Sequence, residues 1–200
     1  SDMGINQTLI RYVSFGIDKK NNQSASYLKH LFKIKSFIVI VLSLILFILS
    51  YRLSFYVFKD KHLFLPLLIL SFYVLFISLS GFFESLFYIK KNVKYLSIKE
   101  SIFLVIKIIG ILIIGFFISS EFKLISVFLL FLIISILTLF FNFYLSKHSY
   151  PSLYKKTEKL KDKKGLSKFI FFQGIQNLSL TLISIVSIIL LGIFLAEKYI

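Results

Sequence analysis

Residues Leu124–Ser146, LISVFLLFLIISILTLFFNFYLS, contain no charged side chain, and neither do residues Phe169–Ala196. A bilayer core is about 30 Å thick and an α-helix rises about 1.5 Å per residue, so about 20 residues cross it. Each run is long enough. Hydrocarbon offers no water to backbone amides, so a spanning chain must close its hydrogen bonds within a helix or around a complete β-barrel. The runs lack the period-two alternation of a barrel strand and are about twice its length. They are predicted as membrane helices. Ser36–Phe58, broken only by Arg52, the uncharged Leu63–Phe83, and Ser101–Ser120, broken only by Lys107, read the same way. The sequence thus predicts an all-α fold, a polytopic transmembrane bundle with five spanning helices. Ser1–Ile17 is shorter and more polar. It reads as the end of a sixth helix, and the chain is expected to be a fragment of a longer protein.

Between the last two runs lies KKTEKLKDKKGLSK, residues 155–168, with seven lysines in fourteen positions. Such a block suits either an anionic polymer bound by a soluble protein or a loop held at one membrane face. Its uncharged flanks select the second. Of the 24 Lys and Arg residues, eighteen alternate onto one side of the predicted bundle: Arg11 and the bases of 18–35, those of 90–99, and those of 147–168. Arg52, Lys59, Lys61, Lys123 and Lys198 fall on the other side, and Lys107 lies within a span. Loops that stay in the cytoplasm carry the excess of Lys and Arg. Segments 18–35, 90–99 and 147–168 are therefore expected in the cytoplasm, the turns near Asp60 and Glu121 outside, and the protein in the cytoplasmic membrane. The net charge of +15 then reports sidedness and contact with anionic headgroups, and no nucleic-acid partner is expected.

Cysteine is absent, which excludes disulfides and thiolate sites, and His30, His62 and His148 are split between the two sides, so no metal site is expected. Of the nine acidic residues, Asp18, Glu100, Glu158 and Asp162 stand among lysines and Asp60, Glu121 and Glu197 singly in turns, with no paired spacing and no glycine-rich phosphate loop. No catalytic constellation or cofactor site emerges, which leaves transport or scaffolding. Polar side chains on one face of a span then carry the information. At about 100° per residue, Gly4, Gln7, Thr8 and Arg11 share an arc, while Ile5, Leu9, Ile10 and Val13 point elsewhere. Gln173, Gln176, Asn177, Ser184 and Ser187 share another arc along the last span. Amides and a guanidinium are costly to leave unpaired in lipid, so these stripes read as the lining of a water-filled cavity or as interhelical bonds. Ser184 and Ser187, like Ser43, Ser50 and Ser54, read individually as packing or backbone bonding.

The opening DMGINQTLIRYVSFGI, a lysine-bearing loop, four strongly apolar helices and a long basic loop leading into LSKFIFFQGIQNLSLTLISIVSIILLGIFLAEKYI together resemble the oligosaccharide flippase branch of the multidrug/oligosaccharidyl-lipid/polysaccharide exporter superfamily. In that family an Asp-aromatic-Gly-like motif lies in the second helix, matched here by Asp2, Met3 and Gly4, followed by a polar residue and an arginine, matched by Gln7 and Arg11. Met3 departs from the commoner residue. The resemblance covers all 200 residues, from late helix 2 to helix 7, and rests on order and spacing. It implies two six-helix lobes across a central cavity lined by helices 1, 2, 7 and 8. Residues 1–146 would form most of the N-terminal lobe, 147–168 a basic linker between lobes, and 169–200 the first helix of the C-terminal lobe. The implied activity is transport without enzymatic chemistry: a polyprenyl-phosphate-linked oligosaccharide crosses the membrane by alternating access for cell-surface polysaccharide biosynthesis, handled by a monomeric full-length parent. The alternatives are a cation-coupled drug antiporter, for which Asp2 and Glu84 are the intramembrane carboxylates, or a multi-pass enzyme or scaffold.

On that basis Arg11, Gln7, Gln173, Gln176, Asn177 and Lys107 are the candidate substrate-binding residues of the cavity. Arg11 leads, because its rigid fork can bond two phosphate oxygens at once; the plainer alternative is an anchor on lipid headgroups. With helix ends placed at the limits of the apolar runs, Lys107 and Glu84 both lie about 8–10 Å inside the membrane, so a structural Glu84–Lys107 pair is expected, or snorkelling of Lys107. For the topology, single cysteines at Lys94 and Lys161 are expected to resist an impermeant thiol reagent in intact cells while one at Asp60 reacts. The reverse labelling pattern would invert the bundle.

Overall fold

The helices α1 (Ile5–Ile17), α2 (Asn22–Arg52), α3 (Phe64–Ile89), α4 (Val93–Phe117), α5 (Ser120–Ser149) and α6 (Lys163–Glu197) follow one another with short connections. The computed structural model describes residues 4–17, 22–89, 93–154, 160 and 162–197, with the backbone alone for 15–17, 22, 93 and 187–197. Asp2 and Met3 of the opening motif, Lys19, Lys20, Lys90, Lys91, Lys155, Lys156, Lys159, Lys161 and Lys198, and the side chain of Ser187 lie outside the described residues. Five segments are long and apolar enough to cross a membrane: Gln23–Val57, Lys61–Ile89, Lys94–Phe117, Ser120–Ser149 and Lys163–Val186. The protein is an all-α polytopic membrane bundle.

Local chemistry sets the helix ends. At the start of α6, Asp162 Oδ1 accepts from the Gly165 amide at 2.8 Å, an N-cap that satisfies one of the donors a helix leaves open. In α5, Glu121 sits in the first turn and Lys147 and His148 in the last, each matching the sign of the helix dipole. The end of α2 widens into a π-helical turn, Leu53–Val57, and Ser54 closes it by donating to the Asp60 carbonyl at 2.6 Å. The Asp60 carboxylate then caps the 3-10 turn Lys61–Leu63 through the His62 amide at 2.9 Å, and α3 begins. Lys59 adopts φ +54 to make this reversal.

The packed core lies at the end of the bundle where the described lysines gather. Ile5, Leu9 and Val13 of α1 meet Leu28 and Leu31 of α2 and Phe82, Phe83, Leu86 and Phe87 of α3. Leu96, Tyr150, Leu153 and Leu166 complete the cluster, so the start of α4, the 3-10 turn Pro151–Tyr154 and the first turns of α6 all dock on it. The linker predicted as 147–168 is therefore partly helix and partly anchored: Lys147 belongs to α5, Lys163, Lys164 and Lys168 belong to α6, and Leu160 packs on the core. Nearer the opposite end, small hydroxyl residues bring backbones together. Ser43 of α2 donates to the Ser71 carbonyl of α3 at 2.7 Å, the packing expected of helices that gain nothing by leaving lipid for each other. α3 is the hub, touching α1, α2, α4 and α5.

Phe82 has no exposed surface and Phe116 is 82% exposed. Phe82→Ala is expected to leave a cavity costing about 3–5 kcal/mol, whereas Phe116→Ala should cost well under about 1 kcal/mol. Thermal unfolding of the detergent-purified protein separates the two.

Candidate functional site

α1 divides only in part as its sequence predicts, because Gly4 and Thr8 of the expected polar arc are buried. Ile5, Leu9 and Val13 are fully buried, while Gln7 and Arg11 are exposed. Thr8, on the boundary, donates to the Gly4 carbonyl at 2.7 Å and is satisfied locally. Gly4 itself adopts φ +74 at the point where α1 meets α6. A Cβ there would come within 2.3 Å of Gln173 Cβ and within 2.8 Å of the Gly174 nitrogen, so only glycine allows this approach. One turn nearer the basic end of α6, the Arg11 guanidinium carbon lies 4.4 Å from the centroid of the Phe169 ring, and Tyr12 packs edge-on to the same ring at 6.0 Å.

The two polar stripes thus meet. Gln173, at the Gly4 crossing, and Asn177 are half-buried and Gln176 is exposed along α6. The hydroxyls beyond them turn back on their own helix: Thr181 donates to the Asn177 carbonyl at 2.8 Å and Ser184 to the Leu180 carbonyl at 2.9 Å. Backbone bonding, and not cavity lining, accounts for Ser184. Lys107 is not brought to this surface. It stands on α4, whose packing is chiefly on α5, whereas α1 packs on α2, α3 and α6.

The expected Glu84–Lys107 pair is replaced by another. Glu84 Oε1 is ion-paired with Lys99, whose side chain is only 5% exposed. The cause is the true start of α4, eight residues before the apolar run at Ser101. Lys99 lies six residues into α4 and Glu84 five residues from the end of α3, so both sit about 8–9 Å inside the bundle. Lys107 is fourteen residues in, about 21 Å deep, and far out of reach.

The same Glu84 oxygen accepts from Asn142 Nδ2 at 2.8 Å and from Ser80 Oγ at 3.3 Å, and Asn142 Nδ2 also donates to Ser80 Oγ at 2.7 Å. Ser80 and Asn142 are fully buried, and Asn142 Oδ1 has no hydrogen-bond partner among the described residues. This network joins α3, α4 and α5. Sequence reasoning missed three of its members, Ser80 being one hydroxyl among many in the apolar spans. Lys99 reads as a loop charge until α4 is known to start at Val93, but Asn142 gave a usable signal as the one amide in the charge-free run Leu124–Ser146.

Two cavities flank these sites. A crevice of about 370 Å³ between α1, α2 and α3 is lined by Lys35, Asn6, Ser78 and apolar residues, with Asn6 Nδ2 donating to the Gly81 carbonyl at 3.3 Å. A pocket of about 210 Å³ is walled by Phe32, Phe82, Phe83, Phe143, Leu153 and Tyr154. Burial pushes the Tyr154 phenol above the ordinary tyrosine range, with its hydrogen bond to Ser146 acting in the other direction. Neither cavity is lined by Arg11 or Gln173.

A family model described as a polysaccharide biosynthesis protein matches residues 1–198. No curated protein and no solved structure matches the chain.

A double-mutant cycle tests the buried network. Glu84→Gln and Lys99→Met are each expected to cost about 3 kcal/mol, since each leaves the other charge buried without its counterpart. The double variant should recover about 1–3 kcal/mol of that sum in thermal unfolding. Strict additivity would show that the pair carries no coupling.

Proposed function

We propose that this chain, which belongs to the polysaccharide biosynthesis protein family, carries a polyprenyl-linked oligosaccharide across the cytoplasmic membrane for assembly of a cell-surface polysaccharide. The observation that most supports this is the placement of Arg11, on an exposed polar face of α1 and stacked on Phe169 of α6 at 4.4 Å. A guanidinium over an aromatic face keeps its in-plane N–H groups free at the edge, where a phosphate can take two of them. The phosphate linkage between lipid carrier and sugar is such a group. Gln7 on the same helix and Gln173, Gln176 and Asn177 along α6 carry amides that both donate and accept, as sugar hydroxyls do.

On this proposal α1–α5 form most of one lobe, the segment between α5 and α6 links the lobes on the cytoplasmic side, and α6 opens the second lobe. The polar face shared by α1 and α6 then lies where the lobes meet, and rocking about it passes the sugar from one leaflet to the other. The drug-antiporter alternative loses support from Glu84, whose carboxylate is shared by Lys99, Asn142 and Ser80 and faces a helix seam.

Arg11→Ala in the full-length protein is expected to leave membrane abundance unchanged and to stop delivery of lipid-linked glycan to the outer leaflet, measured by surface labelling of the glycan. Arg11→Lys is expected to retain only part of the delivery, because an ammonium cannot make the bidentate contact. Full activity of the lysine variant would reduce Arg11 to a headgroup anchor, and normal delivery by the alanine variant would remove it from transport.

A further inference from the structure

The Arg11 guanidinium is held by a ring from another helix. Arg11 belongs to α1 and Phe169 to α6, and the guanidinium carbon lies 4.4 Å from the ring centroid. The ring is itself gripped: Tyr12 meets it edge-on at 6.0 Å, and Tyr12 packs on Tyr27 of α2 at 5.2 Å. One turn earlier in α6, Leu166 is fully buried in the core that α1 and α2 share. Among the described residues Arg11 makes no ion pair, and the Asp162 carboxylate caps the Gly165 amide. The aromatic face is thus what orders this side chain. A free arginine gives up rotamer freedom when it binds an anion, so a platform that fixes it beforehand raises its affinity for one.

That platform is conditional. It reaches Arg11 only while α1 and α6 are in contact, and the contact is set at the Gly4–Gln173 crossing, where a Cβ on Gly4 would lie 2.3 Å from Gln173 Cβ. Building on the proposed function, which puts the two helices in opposite lobes, we infer that Phe169 is a positioning residue that makes the phosphate affinity of Arg11 depend on the α1–α6 contact. With the ring under the guanidinium, its N–H edge is already aimed, and the phosphate of a prenyl-linked substrate binds tightly. When the lobes part on this side the ring leaves with α6, the guanidinium regains its rotamers, and the phosphate is released. A ligand that prefers one arrangement of two helices also favours that arrangement when bound, so substrate and lobe position govern each other.

The test is a titration of the detergent-purified full-length protein with farnesyl phosphate, read by the rise in unfolding temperature that binding produces. Phe169→Leu keeps apolar bulk without a π face and is expected to weaken binding about fivefold, whereas Phe169→Trp restores a face and stays within about twofold of wild type. Gly4→Ala, a wedge at the crossing, is expected to weaken binding by a similar factor alone and to add nothing in the Phe169→Leu background. Excess phosphatidylglycerol is expected not to displace the probe. Wild-type affinity in Phe169→Leu, equal losses in the Leu and Trp variants, or a Gly4→Ala loss that adds in full to that of Phe169→Leu overturns the positioning role, and should Gly4→Ala fail to reach the membrane, the Phe169 pair decides. Displacement by phosphatidylglycerol overturns it too, leaving a headgroup anchor. Arg11→Ala separates the two levels: wild-type affinity there sinks Arg11 as a substrate contact altogether, while weakened binding there with wild-type affinity in Phe169→Leu sinks the role of Phe169 alone.

Discussion

One oxygen of one carboxylate sets the relation of three helices. Glu84 Oε1 takes donors from α3, α4 and α5 through Ser80, Lys99 and Asn142. Ser80, Lys99 and Asn142 are at most 5% exposed and cannot turn to water instead, so sliding any of the helices by one turn would strand polar atoms. Apolar packing alone does not choose a register so firmly, because helices in lipid exchange one apolar surface for another. The ladder of aromatic contacts beside the network, Phe82 with Phe83 and Phe83 with Phe143, then packs in the only register the polar groups allow. The core of α1, α2 and α3 is built on that same end of the bundle.

The spans were legible because the physics that selects them is one-dimensional: a stretch of chain either can or cannot reside in hydrocarbon. The faces of α1 were legible for a related reason, since a 3.6-residue period sorts Ile5, Leu9 and Val13 from Gln7 and Arg11 without knowledge of what lies opposite. Helix ends were harder. The start of α4 runs eight residues through polar sequence before the apolar run begins, as helices do when their first turns emerge into headgroups. That shift moved Lys99 from the loop into the bundle and gave Glu84 a different partner. Asn142 stood out as the one amide of its run, but an amide surrounded by Phe and Leu carries no sign of the helix it will face.

The lysine block between α5 and α6 shows the same limit. Charge density predicts a solvated loop, yet Leu153, Leu160 and Leu166 are spaced through it and all three pack on the core. A few apolar side chains among many lysines are enough to fix where a basic segment runs, because each buries its own surface while Lys163, Lys164 and Lys168 stay exposed. The result is that α6 leaves the basic end from a fixed point, on a path that takes it past α1.

That path ends its support early. α6 is held at Leu166, Phe169 and the Gly4–Gln173 crossing, and beyond Gly174 the side chains of Leu178, Leu180 and Leu182 are all at least half exposed. The helix continues for 23 residues from Gly174 to Glu197, a length of about 35 Å at about 1.5 Å per residue. Geometrically it is a lever with its fulcrum near one end: a tilt of about 10° at the Gly4 crossing carries the far end through about 6 Å. The absence of one methyl group at Gly4 therefore sets the clearance at the pivot, and every angular change there is multiplied along the arm.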